Sequence, residues 1–375
     1  MGVFISLHYF ATGPGQELFQ YLAENGKEAA LLEIPFEFSR RDSVKLSVYQ
    51  KGEFWQEEFP APKGPRIYRH FRELSLTSKA LKLLRKRGFS CDVYVGNGAF
   101  DTLSGLFEKI PKTVLFTIDY APQAQPSYLR PLYRAIDAYV CKRVSRIWNL
   151  SERMQQARVE AEPGLKKKCA PALTVPHGTH YEKLKNVRRL PKNKFSLAFM
   201  GHLKADSGVD LILQAFPELI NAFPELSLTI VGTGPEEEKL KKLSFDLGLM
   251  EHVTFTGFME SHEELEKILC SCAVGIALYD NSKDVFTRNA DPGKPKVYLG
   301  CGLPVLITDV PLVAREIQDR GAGLIVESSC SSLLKGIKMI SDNYEAFRQR
   351  AEEMGSDYDW SRVFKKALVD LYGQD

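Results

Sequence analysis

Lys294 is the residue of this 375-residue chain whose setting speaks most directly of chemistry. It lies in Asp291-Pro-Gly-Lys-Pro295, where glycine and proline mark a turn ahead of a helix-like run. A cation at a strand–helix junction can neutralise a phosphate, and a lysine in a solvated loop is the plainer reading of the same residues. Upstream, apolar runs end in glycine at Gly201, at Gly232-Thr-Gly234 and at Gly257. Glycine lets a backbone approach a ligand closely, although each of these also suits an ordinary tight turn. Gly257 is followed by Phe258 and Met259, an apolar pair against which an aromatic base can lie. Asp119, in Leu115-Phe-Thr-Ile-Asp-Tyr120, follows a strong strand pattern and could serve as base for an acceptor hydroxyl or cap the next segment. Asp101 is a weaker candidate for the same role.

The elements that must position these residues alternate. Strand patterns fall at 3–6, 28–33, 67–68, 93–96, 113–118, 146–149 and 173–175, then at 196–200, 227–231, 253–256, 274–278, 305–308 and 323–326. Helical patterns lie between them, among them 16–24, 74–87, 129–143, 209–222, 236–247, 262–269 and 313–318. Strand and helix taking turns predict parallel sheets covered on both faces. The two series predict an α/β protein of two doubly wound, Rossmann-like domains facing across a cleft. The domains are expected at 1–183 and 195–355, joined by a polar, basic linker at 184–194, with a last helix at 356–375.

A hydrophobic fraction of 44% and a charged fraction of 26% describe a soluble globular chain. The start lacks the form of a signal peptide, and no window is apolar enough for a spanning helix. Seven scattered cysteines suit free thiols in a reducing compartment, and Cys270-Ser-Cys272 without a second pair is a poor metal motif. No metal is expected. Residues 1–186 carry 28 Lys and Arg against 19 Asp and Glu, a net charge of +9, while the remainder carries −6. Such a split implies that one half meets something anionic. In the basic patterns around Arg85, Lys86 and Arg87, and around Arg130 and Arg134, leucines and aromatics interleave with the cations. That composition suits docking on an anionic membrane, although ordinary solvated helix faces share it.

The order of motifs in the second half resembles the C-terminal domain of GT-B glycosyltransferases of the large family-four type. The resemblance rests on Gly201-His-Leu203, Gly208-Val-Asp210-Leu, Ile230-Val-Gly-Thr-Gly-Pro235, Phe255-Thr-Gly257 and Pro292-Gly-Lys294. It closes with Tyr298-Leu-Gly-Cys-Gly302-Leu-Pro304-Val305. More loosely, Thr12-Gly13-Pro-Gly15 is similar to the family's glycine loop beside the donor phosphates, Val175-Pro-His-Gly178 to the element before the linker, and Tyr358-Asp-Trp360 to the start of the final helix. His202 and Ser207 stand where the family has Arg and Lys, with Lys204 nearby. Val297 and Asn289 stand where it has a pair of acids, the first of which holds the donor ribose.

The resemblance implies a retaining, cofactor- and metal-independent transferase whose co-substrate is a nucleotide-diphosphate sugar. Lys294 and helix dipoles would stabilise the departing diphosphate. It places the chain in the cytoplasm, peripheral on the inner face of a membrane, with a lipid-linked or polysaccharide acceptor and no nucleic acid. A nucleotide-sugar epimerase, a DNA-modifying glucosyltransferase and a non-catalytic sugar-nucleotide-binding subunit remain open.

Overall fold

Runs such as Val3-Phe-Ile5 and Leu228-Thr-Ile-Val231 are rich in β-branched residues, which pack well on a pleated surface, and they form buried strands. In the computed structural model, residues 1–9, 13–35, 43–60, 69–120, 127–189, 193–259, 261–279 and 290–373 are described. The chain divides into two compact units, Met1–Pro176 with Val363–Asp375, and His177–Arg362.

In the first unit, eight strands make one sheet: β1 (Gly2–Tyr9), β2 (Glu28–Pro35), β3 (Ser43–Gln50), β4 (Glu53–Pro60), β5 (Cys91–Gly96), β6 (Lys112–Thr117), β7 (Arg146–Asn149) and β8 (Ala172–Thr174). Their order is β4-β3-β2-β1-β5-β6-β7-β8. From β2 to β8 the neighbours are parallel, and the helices α1 (Pro14–Glu24), α2 (Arg69–Lys86), α3 (Ala99–Phe107), α4 (Arg130–Cys141) and α5 (Glu152–Ala161) connect them. The other edge departs from the parallel expectation, because β3 and β4 form an antiparallel hairpin on β2. Lys51 and Gly52, with φ of +53° and +84°, make the tight turn that suits the twist of a two-residue hairpin. Glu53, Gln56, Glu57 and Glu58 make β4 polar, as befits an exposed edge, and hide it from a search for apolar runs. The strand expected at 67–68 lies outside the described residues.

The second unit holds β9 (Ser196–Met200), β10 (Ser227–Val231), β11 (Val253–Gly257), β12 (Val274–Ala277), β13 (Val305–Ile307) and β14 (Gly323–Ile325). All pairings are parallel, in the order β11-β10-β9-β12-β13-β14. This is the Rossmann order, which reverses direction between β9 and β12, and ligands of such sheets gather beyond the carboxyl ends of the strands at that point. The helices are α6 (Val209–Ala222), α7 (Glu237–Asp246), α8 (His262–Ser271), α9 (Gly293–Gly300), α10 (Leu312–Asp319), α11 (Cys330–Asp342) and α12 (Tyr344–Asp357). They cover the two faces over separate apolar clusters, one centred on Phe199 and Phe216, the other on Tyr298 and Leu299. Among the described residues no helix is long and apolar enough to cross a membrane.

The stretch 184–194 starts inside the second unit, because the backbone ahead of it is already bonded there. Thr179 N–H donates to Tyr358 O (2.9 Å), and Glu182 N–H donates to Asp359 Oδ2 (3.0 Å). Arg188, buried on the second of its basic residues' turns, donates to Gly300 O (3.0 Å). The C-terminal segment is two helices. Chain direction changes at Tyr358 and Asp359, and α13 (Trp360–Tyr372) carries the chain into the first unit again. There Phe364 is fully buried beside Tyr21 (5.7 Å between rings), Lys112 Nζ donates to Leu371 O (3.0 Å), and Arg146 pairs with Asp370 (3.1 Å).

Candidate functional site

At the carboxyl edge of the second sheet, β9, β10 and β11 run into Gly201, Gly232 and Gly257, with φ of +140°, +136° and +76°. Their backbones step down the edge as a ladder. Gly201 N–H donates to Val231 O, and Gly232 N–H to Gly257 O, both at 2.9 Å. A Cβ on Gly232 would lie 2.0 Å from Gly201 O, and one on Gly234 would lie 2.2 Å from Leu203 O. No L side chain fits at either position. The glycines therefore serve backbone packing, and the result is a rim without side chains on which a ligand can rest.

The helices beyond this rim differ in what they offer an anion. α7 carries Glu237 and Glu238 in its first turn, and α6 carries Asp210, so each opposes its own N-terminal dipole. The first turn of α9 has no acid and contains Lys294. The Lys294 ammonium lies 4.1 Å from the Phe199 ring centroid and 5.5 Å from that of Tyr279. A Cβ on Gly201 would meet its Cε at 3.3 Å, so the lysine runs directly beneath the rim. Among the described residues it has no ion-pair partner. Burial pulls its pKa down to about 7, with repulsion from Lys204 adding to the fall and Asp206 opposing it. Lys296, two residues on, is fully buried but closes a salt bridge with Asp291 and lies 4.2 Å from the Tyr358 ring. Asp291 also accepts the His177 N–H at 2.7 Å. One lysine is thus neutralised inside the fold, and the other is a desolvated cation with no ion-pair partner among the described residues.

Other expected contacts are placed less evenly. His202 and Lys204 are exposed beside the rim, Lys204 in an ion pair with Asp206 (3.1 Å). Phe258 is 59% exposed at the end of β11 with Met259 next to it, where an aromatic base could reach both. Val297 corrects the reading. It is packed in the apolar cluster around Tyr298, and a buried aliphatic side chain has no hydrogen bond to give a ribose hydroxyl. Asn289 lies outside the described residues. A cavity of about 420 Å³ opens between α6 and α7, lined by Lys204, Asp210, Glu236 and Lys239, but Lys294 is not among its walls.

A family model described as glycosyl transferases group 1 matches residues 180–356, which contain the rim and both lysines. Residues 180–356 are thus similar to group 1 glycosyl transferases. The domain also carries the likeness to individual proteins. A phosphatidyl-myo-inositol mannosyltransferase of Mycobacterium leprae is 24% identical over 210 residues, which is 52% of each chain. A GDP-mannose-dependent alpha-(1-6)-phosphatidylinositol monomannoside mannosyltransferase of Mycobacterium tuberculosis is 38% identical over 198 residues, 47% of each chain. The chain thus spans about half the length of the curated relatives it matches. The fold is shared over a longer stretch: the solved sucrose-phosphate synthase of Thermosynechococcus elongatus superposes with a TM-score of 0.70 at 14% identity, covering 98% of both chains. The architecture is the two-domain, Rossmann-like GT-B fold.

In the first unit the candidate residues occupy the corresponding sheet edge. Asp119 follows β6 directly, exposed at its surface, and desolvation by the surrounding protein raises its pKa. Gly13 caps α1 with extended backbone, its N–H donating to Gln16 Oε1 (3.1 Å), and a Cβ on Gly15 would lie 2.5 Å from Leu7 Cδ2. Asp101 is buried in the first turn of α3. Sequence reasoning missed Asn97, next to the β1–β5 reversal, whose Oδ1 is buried with no hydrogen-bond partner among the described residues. It also missed fully buried Arg158, which holds Asp137 (2.9 Å), Asn149 (3.0 Å) and Thr117 (2.8 Å) together under β6 and β7.

The basic helices separate into two kinds. On α2, Leu81 and Leu84 point into the core, as does Phe89 just beyond the helix, Arg85 pairs with Glu108 (2.9 Å), and Arg87 pairs with Glu57 (3.0 Å) over the Trp55 ring. Leu81, Leu84 and Phe89 therefore do not share a surface with Arg85, Lys86 and Arg87, contrary to the interleaved reading. On α4, Leu132 and Tyr139 are exposed on one side and Arg134 is exposed on another, with Tyr128 exposed just ahead of the helix and Arg130 half-buried at its start.

Proposed function

We propose that this protein transfers a sugar from a nucleoside diphosphate sugar to a lipid-linked or polysaccharide acceptor, with retention at the anomeric carbon. The observation that carries the reading is Lys294, a desolvated cation under a glycine rim at the sheet reversal, with no ion-pair partner among the described residues. A diphosphate supplies the missing counter-charge. As the bond to the sugar breaks, negative charge grows on the diphosphate, and a pre-placed ammonium with the α9 dipole stabilises it where water is excluded. The same contact raises the Lys294 pKa, so the lysine is held protonated while donor is bound. Exposed Phe258 and Met259 suit the base, and Asp119 suits the acceptor hydroxyl as base.

The names of the two mycobacterial relatives support a lipid acceptor, and one of them supports a guanosine diphosphate donor. The exposed apolar side chains Tyr128, Leu132 and Tyr139, in a unit with excess positive charge, support an anionic membrane surface. Transfer of label from a panel of nucleoside diphosphate sugars to membrane lipid extract tests the proposal. Labelled lipid should form with at least one donor, and absence of both transfer and nucleotide binding across the panel would reject it.

A further inference from the structure

Helix α8 begins at His262, and Glu266 follows one turn later on the same face. His180, far away in sequence, is brought against them by the segment that opens the second unit. That segment is fixed independently of the helix, through the Thr179 and Glu182 backbone bonds to Tyr358 and Asp359. His180 Nδ1 lies 2.9 Å from Glu266 Oε1, His262 Nδ1 lies 3.7 Å from the same oxygen, and the imidazoles cross edge to face at 5.6 Å. One ligand atom from each of the three lies within 4.8 Å of the others. A hydrogen-bonded cluster accounts for His180 but not for His262, because 3.7 Å is beyond hydrogen-bond reach. Its Nδ1 is buried with no hydrogen-bond partner among the described residues, and it faces a carboxylate that is itself buried.

We propose that His180, His262 and Glu266 bind one divalent transition-metal ion of the zinc class, which fastens the opening segment of the second unit to α8. Two imidazoles and one carboxylate are a borderline nitrogen–oxygen set, suited to zinc, cobalt or nickel, and unlike the all-oxygen shells that magnesium and calcium take. Three protein ligands leave a fourth position for water. The ion would sit between two stretches of chain that meet only in the folded unit, so its binding adds to folding stability. It takes no part in the sugar transfer proposed above.

Metal-stripped full-length protein, titrated by calorimetry with Zn²⁺, Co²⁺ and Mg²⁺, tests this. One Zn²⁺ or Co²⁺ should bind per chain and raise the unfolding temperature, while Mg²⁺ does neither. The cobalt complex should lack a thiolate charge-transfer band, which separates this site from the seven cysteines. The His262 side chain is 39% exposed, so His262→Ala should keep native circular dichroism. Its Zn²⁺ affinity should fall by more than the roughly 10–100-fold that loss of an outer-shell partner costs. No binding by the parent protein, a thiolate band, or undiminished affinity in His262→Ala would each overturn the proposal.

Discussion

Two faces of α9, two residues apart, put the same side chain to opposite uses. On the inner face Lys296 is enclosed with Asp291, and the pair in turn anchors the His177 backbone and the Tyr358 ring. On the rim face Lys294 is desolvated over Phe199 and Tyr279 and, among the described residues, forms no ion pair. The paired lysine belongs to the architecture. The unpaired one carries a standing electrostatic cost that only a ligand relieves, and that is the mark of a binding residue. The basic helices of the first unit repeat the contrast: on α2 Arg85 and Arg87 have carboxylates, whereas on α4 Arg134 is exposed and, among the described residues, forms no ion pair.

Removing a partner should separate the two faces most sharply. Asp291→Ala leaves Lys296 buried and uncompensated, and should lower stability by about 3–5 kcal/mol in denaturant unfolding. Lys294→Ala should leave stability near or above that of the parent, and a loss as large as that of Asp291→Ala would erase the distinction. In calorimetry Lys294→Ala should weaken nucleoside diphosphate binding by about 1.5–3 kcal/mol, the range for hydrogen bonds to charged groups. The pH dependence is smaller. Lys294 without ligand titrates near 7 and a bound diphosphate raises that value, so the bound state holds the extra proton. Affinity should therefore be full below pH 7 and decline above it, by at most about 1.4 kcal/mol per pH unit. The decline should vanish in Lys294→Ala, and a parent protein with flat affinity above pH 7 would argue that the lysine does not meet the phosphates. Least of all, Arg134→Ser should reduce sedimentation with anionic liposomes at low salt by about 1 kcal/mol, while Arg85→Ser changes it less. Equal effects would put the membrane face elsewhere.

What the sequence made legible follows from the range of the interactions involved. The glycine ends of β9, β10 and β11 and the Pro292-Gly-Lys294 turn are local patterns, and the strands at 196–200 and 227–231 and the helix at 209–222 were expected at those residues. The hairpin β3–β4 was not, since Val44, Leu46 and Val48 alternate with polar residues and β4 is mostly polar, so neither strand offers a continuous apolar run. Leu81 and Leu84 could be counted from the sequence, but the direction they face depends on the sheet beneath them. The partners of Arg85 and Arg87 lie 23 and 30 residues away, and those of His180 lie farther still. Such pairings are created by the fold, and no short window contains them. The inward packing of Val297 is hidden for the related reason that a motif position can be kept while its side chain joins the core.

The return of α13 to the first unit reverses the order in which the two units can be completed during synthesis. Residues 1–176 leave the ribosome first, yet Phe364, which is buried beside Tyr21, is added only after all of residues 177–362. The second unit is a single uninterrupted stretch and can close as soon as it has emerged, whereas the first must wait with an unfilled apolar site until α13 has been made. The unit begun first is thus the last to be finished.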